Sequence, residues 1–275
     1  MTATDLYLDL LARALTRALY EDNDQIVGLI NHRGTGSLKH RFALRVAPIL
    51  AKANLELVQK RPYSAEAREN GRDWPARAES MAGLKRMANT RECIETILRD
   101  NVPGDLIETG VWRGGMCIFM RGVLAAYEVT DRIVWLADSF EGLPATDARK
   151  FEVDVKDDYD FDFLAVGLDQ VRKNFERYAF LDDQVRFLKG WFKDTLPTAP
   201  VERLALLRLD GDMYESTIQA LDSLYPKLSV GGFCIVDDYG AIDACQQAVT
   251  EYRTKHGVRD PIIDIDGWAV YWRKS

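Results

Sequence analysis

Apolar and polar positions follow two different rhythms along the chain. In the first 100 residues the apolar positions recur at helical spacing. The run nearest the N-terminus places apolar residues at Leu6, Leu10, Leu11, Ala14, Leu15 and Leu19. Further helical runs are predicted from about Leu38 to Gln59 and from about 79 to 100, with a break around Gly34 and Gly36. Residues 1–100 are therefore predicted to form a helical N-terminal extension.

One stretch of this extension, residues 61–78, shows no periodicity. Its sequence, RPYSAEARENGRDWPARA, is polar and contains two prolines. Long irregular segments inside compact domains often act as lids or binding loops. We expect this segment to be mobile and to close over a substrate. Trp74 and Met81, in and after it, are candidate substrate contacts, although ordinary packing explains them equally well.

From residue 101 to residue 275, short apolar runs alternate with helical patterns. Strands are predicted at DLIETG, RIVWLAD, QVRFLKG, RLALLRLD and GGFCIVDD, and helices at CIFMRGVLAAYE, FLAVGLDQVRKNFERYAF, ESTIQALDSLYPKL and IDACQQAVTEYRTKHG. Such alternation indicates βαβ units and a mainly parallel sheet with helices on both faces. The closing runs PIIDID and WAVYWRK are too close for a helical crossover, so they are predicted to form an antiparallel hairpin. The predicted fold class is α/β.

Composition narrows the kinds of protein that this chain can be. With 275 residues, 47% of them hydrophobic, the chain can bury a sizeable core, while a formal net charge of −7 argues against a dedicated nucleic-acid binder. No apolar run approaches the roughly 18 residues of a membrane span. The N-terminus lacks the pattern of a signal peptide, and the four cysteines show no CxxC spacing. We therefore expect reduced core thiols, a cytoplasmic location, and no nucleic-acid or membrane partner.

The candidate chemistry lies where the predicted strands end, because open α/β sheets bind ligands at the carboxyl ends of their strands. The first strand ends in ETGVWRGG, residues 108–115, whose glycines let the backbone approach a ligand; a plain tight turn explains them as well. The second ends at Asp138, which can accept hydrogen bonds from two ribose hydroxyls or simply stabilise a turn. After the third strand, Trp191 or Phe192 can stack on an adenine or belong to the core.

Four aspartates follow the next two strands. Asp210 and Asp212 end the fourth strand, and Asp237 and Asp238 end the fifth. Adjacent parallel strands lie about 4.8 Å apart, so these carboxylates converge if the two strands are neighbours. Carboxylates that share a site need a positive partner or a raised pKa, and all-oxygen ligands suit Mg²⁺, Ca²⁺ or Mn²⁺. Each pair alone is more typical of solvated turn acids, but two pairs beside a nucleoside-like pocket favour a metal site.

A nucleoside cofactor beside a hard divalent cation, with no catalytic histidine or cysteine motif, favours methyl transfer from S-adenosylmethionine to a hydroxyl. Phosphoryl transfer would need a P-loop, and no GxxxxGK[ST] is present. A nicotinamide-dependent oxidoreductase would need a GxGxxG-like turn, which the first strand end lacks. A methyltransferase fold that has lost its chemistry is a third possibility, against which the intact DGD and DDYG motifs argue.

Long stretches of the chain resemble the macrocin O-methyltransferase family. The resemblance covers almost the whole chain and includes GRDWPARAESMAGLKR, LIETGVWRGGMCIFMRGVLAAY, WLADSFEGLP, VRFLKGWFKDTLPTAP and LALLRLDGDMYESTIQALDSLYPKLSVGGFCIVDDYG. It implies the class I methyltransferase fold, a Rossmann-like seven-stranded sheet, mostly parallel with an antiparallel last strand. It also implies an S-adenosylmethionine- and Mg²⁺-dependent O-methyltransferase of antibiotic biosynthesis, acting on a sugar hydroxyl of a glycosylated small molecule. A homo-oligomer, dimer or tetramer, is implied too; a non-sugar polyketide or catechol-like hydroxyl is the alternative acceptor.

The resemblance also assigns roles to individual residues. It implies that Asp210, Asp237 and Asp238 bind Mg²⁺. The residues it implies for the S-adenosylmethionine pocket are Glu108, Thr109, Gly110, Val111, Arg113, Asp138, Ser139, Gly190, Trp191, Phe192 and Asp210. Catechol O-methyltransferases show a similar three-acid plan and carry a lysine base three residues after the first acid, where this chain has Met213. The implied general base is therefore Asp212, with Asp210 itself as the alternative.

Overall fold

The computed structural model describes residues 1–21, 23–27, 38–144, 152–155 and 162–275. The helices in these ranges are α1 (Ala3–Leu15), α2 (Leu38–Lys52), α3 (Ala65–Glu69), α4 (Gly83–Arg99), α5 (Gly115–Ala126), α6 (Leu168–Arg177), α7 (Phe192–Thr195), α8 (Tyr214–Leu224) and α9 (Asp243–His256). The strands are β1 (Gln25–Ile26), β2 (Val58–Gln59), β3 (Asp105–Thr109), β4 (Val134–Asp138), β5 (Val185–Lys189), β6 (Leu204–Leu209), β7 (Leu228–Val236), β8 (Ile263–Asp264) and β9 (Val270–Arg273).

A seven-stranded sheet in the order β5-β4-β3-β6-β7-β9-β8 forms the centre of the molecule. Strands β3 to β7 run parallel, whereas β9 pairs antiparallel with both β7 and β8. The predicted mainly parallel sheet with an antiparallel C-terminal hairpin is confirmed. The strand order reverses between β3 and β6, and ligands of open α/β sheets bind in the crevice at such a point.

Neighbouring strand ends carry the predicted acids. The register pairs Leu209 of β6 with Thr109 of β3 and with Val236 of β7, so Asp210 and Asp237 leave the sheet side by side. All six residues of β6 are buried, as expected for a central strand covered on both faces. One face packs against α1, α4, α5 and α6, and the other packs against α8 and α9.

The N-terminal helices share the core of the sheet. In α1, Leu8, Leu11 and Leu15 are buried together with side chains of α4 and α5. Of the predicted apolar positions, Leu11 and Leu15 are therefore buried within this chain, whereas Leu6 and Leu10 are more than half exposed. Helix α1 has two apolar faces, and packing on α5 decides which one is buried. The domain boundary near residue 100 stays a prediction.

The region between α1 and α4 differs from the sequence prediction in detail. Helix α2 ends at Lys52, and Val58–Gln59 forms β2, which pairs with β1, instead of continuing the helix. Within residues 61–78, helix α3 begins after Ser64, whose side chain accepts a hydrogen bond from the Ala67 N–H (3.1 Å). The residues around Gly34 and Gly36 lie outside the described ranges.

Arg68, a buried arginine, connects α3 to the segment that follows α1. Arg68 is 1% exposed and pairs with Asp73 at 2.8 Å, and its Nη1 donates to the carbonyl oxygens of Thr16 and Arg17. Part of the segment predicted to be irregular is thus folded and anchored, while its movement as a lid stays a prediction. All four cysteines are buried with free thiols. Within the described ranges, every helix is too short or too polar to cross a membrane.

Candidate active site

A cavity of about 950 Å³ opens at the carboxyl ends of the central strands. The predicted site residues that line it are Trp74, Met81, Glu108, Gly110, Val111, Asp138, Ser139, Trp191, Phe192, Asp210, Asp212, Asp237 and Asp238. The fold thus gathers residues up to about 160 positions apart into one space. Thr109, Arg113 and Gly190 do not line the cavity.

Asp138, at the end of β4, holds the two turns that border one side of the cavity. Its Oδ2 accepts the Val111 N–H at 2.8 Å, and its Oδ1 accepts the Phe140 N–H at 2.7 Å. Burial raises the pKa of Asp138, and these N–H groups work in the opposite direction. The turn-stabilising role is therefore realised. Ser139 Oγ, 3.4 Å from Oδ1, is a further donor to this carboxylate, which also lines the cavity.

Gly110 is required by the strands rather than by a ligand. Its φ is +83°, and a Cβ at this position would lie 1.7 Å from the backbone oxygen of Asp210. Any other residue would push the end of β3 away from the end of β6. The glycine therefore keeps the two halves of the site in direct contact.

Arg113 is absent from the cavity lining, and its role in the cofactor pocket stays a prediction. Its Nη1 donates to the carbonyl oxygens of Ala76 and Ala78, both at 2.8 Å. It thus connects the turn after β3 to the end of the 61–78 segment. Thr109 is buried behind the cavity, and the Gly190 N–H donates to the backbone oxygen of Asp138 at 2.9 Å. These residues support the pocket from behind.

Three of the predicted acids converge on the other side of the cavity. Asp210, Asp237 and Asp238 each offer one carboxylate oxygen, and these oxygens lie within 4.8 Å of one another. The Asp212 N–H donates to Asp238 Oδ2 at 3.2 Å, and Asp212 itself has a φ of +57°. Aspartate is one of the few non-glycine residues that tolerate this left-handed conformation. An all-oxygen donor set of this size fits a hard divalent cation such as Mg²⁺.

Two buried arginines, which the sequence analysis did not identify, supply positive charge to these acids. Arg208 of β6 is fully buried; its Nη1 donates to Asp210 Oδ2 at 2.6 Å and to Glu108, and its Nη2 donates to Asp237. Arg86 of α4 contacts the other oxygen of Asp237. Burial opposes the charge of Arg208, but Asp237, Asp210 and Glu108 raise its pKa well above the ordinary value.

The acids of the cluster outnumber these two arginines, and the pKa values of three aspartates are raised. Burial, followed by the charge of Asp237, raises the pKa of Asp210 to about 6, although 30% of its side chain faces the cavity. Burial and the charges of Asp210 and Asp237 raise the pKa of Asp212 to about 7. Burial, followed by the charges of Asp212, Asp210 and Asp237, raises the pKa of Asp238 well above its ordinary value. The cluster is therefore stabilised by a proton or by a further cation.

The comparison with known proteins decides the family. The family model described as macrocin-O-methyltransferase (TylF) matches residues 4–274. This chain belongs to that family. It is an O-methyltransferase of the class I fold, and S-adenosylmethionine is the cofactor of this class.

Curated relatives and a solved structure match over nearly the full length. The 8-demethyl-8-(2,3-dimethoxy-alpha-L-rhamnosyl)-tetracenomycin-C 4'-O-methyltransferase of Streptomyces olivaceus is 52% identical, over 99% of this chain and 94% of the relative. The mycinamicin III 3''-O-methyltransferase of Micromonospora griseorubida is 48% identical, over 100% of this chain and 98% of the relative. The structure of the O-methyltransferase NovP superposes with a TM-score of 0.84 at 46% identity, covering 99% of both chains.

The methyltransferase has a further cavity wall that the sequence analysis missed. Trp268, in the turn between β8 and β9, lines the cavity, and the guanidinium carbon of Arg72 lies 3.3 Å from its ring centroid. The Arg72 Nη2 also donates to the backbone oxygen of Asp266 at 2.7 Å, and the Asp266 carboxylate binds Arg86 Nε, also at 2.7 Å. The 61–78 segment is thus docked on a turn that connects to the metal-candidate acids through Arg86.

The two predicted substrate contacts of the methyltransferase both face the cavity. Trp74 has its ring 5.9 Å from that of Phe163, and Met81 lies near the start of α4. The Trp112 Nε1–H donates to the backbone oxygen of Phe163 at 3.0 Å, which closes this side of the wall. Contact of Trp74 and Met81 with an acceptor stays a prediction.

Proposed function

We propose that this methyltransferase transfers the methyl group of S-adenosylmethionine to a sugar hydroxyl of a glycosylated antibiotic or related small molecule, with the help of Mg²⁺. The observation that carries the proposal is the convergence of three acidic oxygens within 4.8 Å, in the same cavity as Glu108 and Asp138. Two relatives are named for methylation at different positions, 4' and 3'', on different scaffolds. We therefore propose an acceptor class and no particular acceptor.

The β3–β4 side of the cavity would hold the cofactor. Asp138 lines the cavity, where its carboxylate could accept hydrogen bonds from ribose hydroxyls. Trp191 and Phe192 follow the end of β5 on the same cavity wall, where an adenine could stack. Glu108, Gly110, Val111 and Ser139 complete this wall. S-Adenosylmethionine supplies an electrophilic methyl group at the sulfonium, so the chain itself has only to bind, orient and deprotonate.

The acids of β6 and β7 would hold the metal. Among the described residues, Asp210 Oδ2 accepts a hydrogen bond from Arg208, so Oδ1 of Asp210 would be the oxygen that binds the ion. Both oxygens of Asp237 contact arginines, so Asp237 would bind the ion through a remaining lone pair. When bound, Mg²⁺ would lower the pKa of an acceptor hydroxyl and help to fix its orientation.

Asp212 is the proposed general base. Burial, with the charges of Asp210 and Asp237, raises its pKa to about 7, which suits proton transfer near neutral pH. With both ligands bound, the acceptor oxygen would bond to the methyl carbon as the carbon–sulfur bond breaks to leave S-adenosylhomocysteine, and Asp212 would take the hydroxyl proton. Met213 occupies the position at which the similar catechol enzymes carry lysine. Asp210 is the alternative base.

A labelled-methyl assay tests this function. The enzyme is incubated with methyl-labelled S-adenosylmethionine and pairs of macrolide or aminocoumarin intermediates, each with its sugar and as the matching aglycone. We expect label only in glycosylated acceptors, loss of transfer in EDTA, and recovery with Mg²⁺. Equal labelling of aglycones would contradict the sugar acceptor, and full activity in EDTA would contradict the metal.

The 61–78 segment is proposed to cover the acceptor. It already docks on Trp268 through Arg72 and on the turn after β3 through Arg113. Cofactor and acceptor together should therefore slow amide hydrogen exchange in this segment. Exchange that responds to neither ligand would contradict a lid.

We also propose a homo-oligomer in a reducing cytoplasm. The four buried free thiols fit a reducing compartment. Leu6 and Leu10 leave an apolar strip exposed on α1, on the face that the sheet domain does not cover. Light scattering of the full chain should give a dimer or tetramer, and Leu6→Ser with Leu10→Ser should shift it towards the monomer. A monomeric wild-type enzyme would contradict the proposal.

A further inference from the structure

Arg208 occupies an unusual place for a charged residue. It lies in the central strand β6, where every other residue is apolar and buried, and its side chain is fully buried. Removing a guanidinium from water is costly, and buried ion pairs rarely stabilise a protein more than well-packed apolar residues of similar volume. A leucine at this position would continue the pattern of the strand. The arginine therefore serves something other than core packing.

The register of the sheet shows what Arg208 reaches. It stands directly beside Glu108 on β3 and Ile235 on β7, in one row across three strands. Because side chains two residues apart share a face of the sheet, Asp210 and Asp237 extend from this same face at the strand ends. Arg208 is thus enclosed by the acid of the cofactor wall and by two acids of the metal cluster.

The hydrogen bonds follow this geometry. Nη1 contacts both Glu108 Oε1 and Asp210 Oδ2, and Nη2 contacts Asp237 Oδ1. A guanidinium is rigid and planar, so these bonds fix the relative positions of the carboxylates. A displacement of Glu108 on cofactor binding would move Arg208 Nη1. Asp210 would then move as well, because the same nitrogen donates to it.

We propose that Arg208 is a positioning residue that links the cofactor half of the site to its metal half, a role that rests on the proposed function. It holds Glu108 on one side and Asp210 with Asp237 on the other in the geometry that receives both ligands. Binding of one ligand therefore favours binding of the other.

Arg86 provides a matched control within the same cluster. It is also buried and also binds Asp237, but its second partner is Asp266 in the β8–β9 turn. It makes no hydrogen bond with Glu108 among the described residues. Replacing Arg86 should therefore disturb the metal half alone, whereas replacing Arg208 should disturb both halves.

The test uses the full-length enzyme and two binding probes. S-Adenosylhomocysteine affinity is measured by calorimetry, and Mn²⁺ affinity by the electron paramagnetic resonance of free Mn²⁺, each with and without the other ligand. Arg208→Lys keeps the charge, but its compact ammonium cannot reproduce the rigid planar spread of Nη1 and Nη2 that now holds the three carboxylates apart. We expect it to weaken Mn²⁺ binding by about 10–100-fold, to weaken S-adenosylhomocysteine binding by about 5-fold or more, and to abolish the mutual enhancement of the two ligands.

Arg86→Lys should weaken Mn²⁺ binding while leaving S-adenosylhomocysteine affinity within about 2-fold. A purely structural role would lower the melting temperature of Arg208→Lys and leave both affinities of the folded protein unchanged, which would overturn the proposal. If Arg208→Lys does not fold, Glu108→Gln takes its place. It removes the charge of the cofactor-side partner of Arg208 and so weakens that contact. Mn²⁺ affinity should then fall by about 5-fold although Glu108 is not a metal ligand; unchanged Mn²⁺ affinity would overturn the proposal.

The same experiment separates this inference from the function beneath it. A wild-type enzyme that binds neither Mn²⁺ nor Mg²⁺ would contradict the metal site of the proposed function, and the coupling role of Arg208 would be contradicted together with it. A wild-type enzyme that binds both ligands, beside an Arg208→Lys variant with unchanged affinities and coupling, would overturn the link alone.

Discussion

The two halves of the active site place acids at strand ends in the same way but stabilise them differently. In the half formed by β3 and β4, Asp138 accepts backbone N–H groups from Val111 and Phe140. In the half formed by β6 and β7, Asp210 and Asp237 depend on buried arginines, and the acids outnumber them. The first half is a frame in which uncharged backbone N–H groups stabilise one carboxylate, and it is complete without a cation. The second is a charge cluster that a cation or proton completes, so charge-directed changes should act there first.

Asp210→Asn should have the largest effect. It removes a proposed metal ligand and leaves Arg208 with one carboxylate fewer, so kcat/KM should fall by about 10³–10⁴-fold or more. S-Adenosylhomocysteine affinity should change by less than about 5-fold, because the frame around Asp138 is untouched. Asp222→Asn, an exposed aspartate on α8, is the control and should match the wild type. Loss of cofactor binding equal to the loss of activity would break the comparison.

Asp212→Asn should lower kcat by about 10²–10⁴-fold with little change in KM, as expected for loss of a general base. Its φ of +57° offers a second variant, Asp212→Gly, which suits the left-handed backbone. Steady-state kinetics and thermal unfolding should show equal losses of kcat in the two variants but a higher melting temperature for the glycine variant. A kcat within 3-fold of wild type in either variant would move the base role to Asp210.

Asp138→Asn should mark the opposite half. The side-chain amide nitrogen of the variant would face one of the two backbone N–H groups that now donate to the carboxylate, so that hydrogen bond would be lost. A hydrogen bond to a charged group contributes about 1.5–3 kcal/mol. S-Adenosylhomocysteine affinity, measured by calorimetry, should fall by about 10–100-fold, while Mn²⁺ affinity should stay within about 2-fold. Equal losses of S-adenosylhomocysteine and Mn²⁺ affinity would show that the cofactor half and the metal half of the site do not bind their ligands independently of each other's structure.

The pH dependence of stability should give the smallest effect. Unfolded aspartates titrate near pH 3.9, and the folded pKa values of Asp210 and Asp212 are raised to about 6 and about 7. Raised folded values favour folding below pH 4, and this contribution is lost as the pH rises through 6 to 7. Mg²⁺ replaces the lost protons, so saturating Mg²⁺ should raise the melting temperature by about 5 °C at pH 8 and by much less at pH 5.5. Equal shifts at both pH values would contradict the cation site.

The sequence predicts the sheet well because its signals are local. Each strand of the 105–275 region is a short apolar run, and the acids that follow β6 and β7 meet because parallel strands share an edge. The partners of those acids are not local. Glu108 and Arg208 lie 100 positions apart, and Arg86 and Asp237 lie 151 apart. The sequence signals these partners only weakly. Arg208 is a charged residue inside an apolar run, and Arg86 lies beside Met87 on the buried face of α4.

Side-chain direction is the other limit of the sequence analysis. Arg113 lies in the turn after β3, where side chains that contact the cofactor are expected. Its guanidinium, however, donates to backbone carbonyl groups of the 61–78 segment. Helix α3 is short and anchored through one arginine, so it leaves no periodic pattern to detect. In α1 two apolar faces compete, and only the tertiary partner α5 selects between them. Such choices depend on contacts that no local pattern contains.

The central claim is that Asp210, Asp237 and Asp238 share one divalent cation next to the cofactor. The most direct measurement is anomalous diffraction at the manganese edge from crystals grown with Mn²⁺ and S-adenosylhomocysteine. We predict one strong peak among these three carboxylates, at about 2.0–2.3 Å from one oxygen of each, with Arg208 still bound to Asp210. No peak at this position at saturating Mn²⁺, or a peak that none of the three acids ligates, would contradict the account.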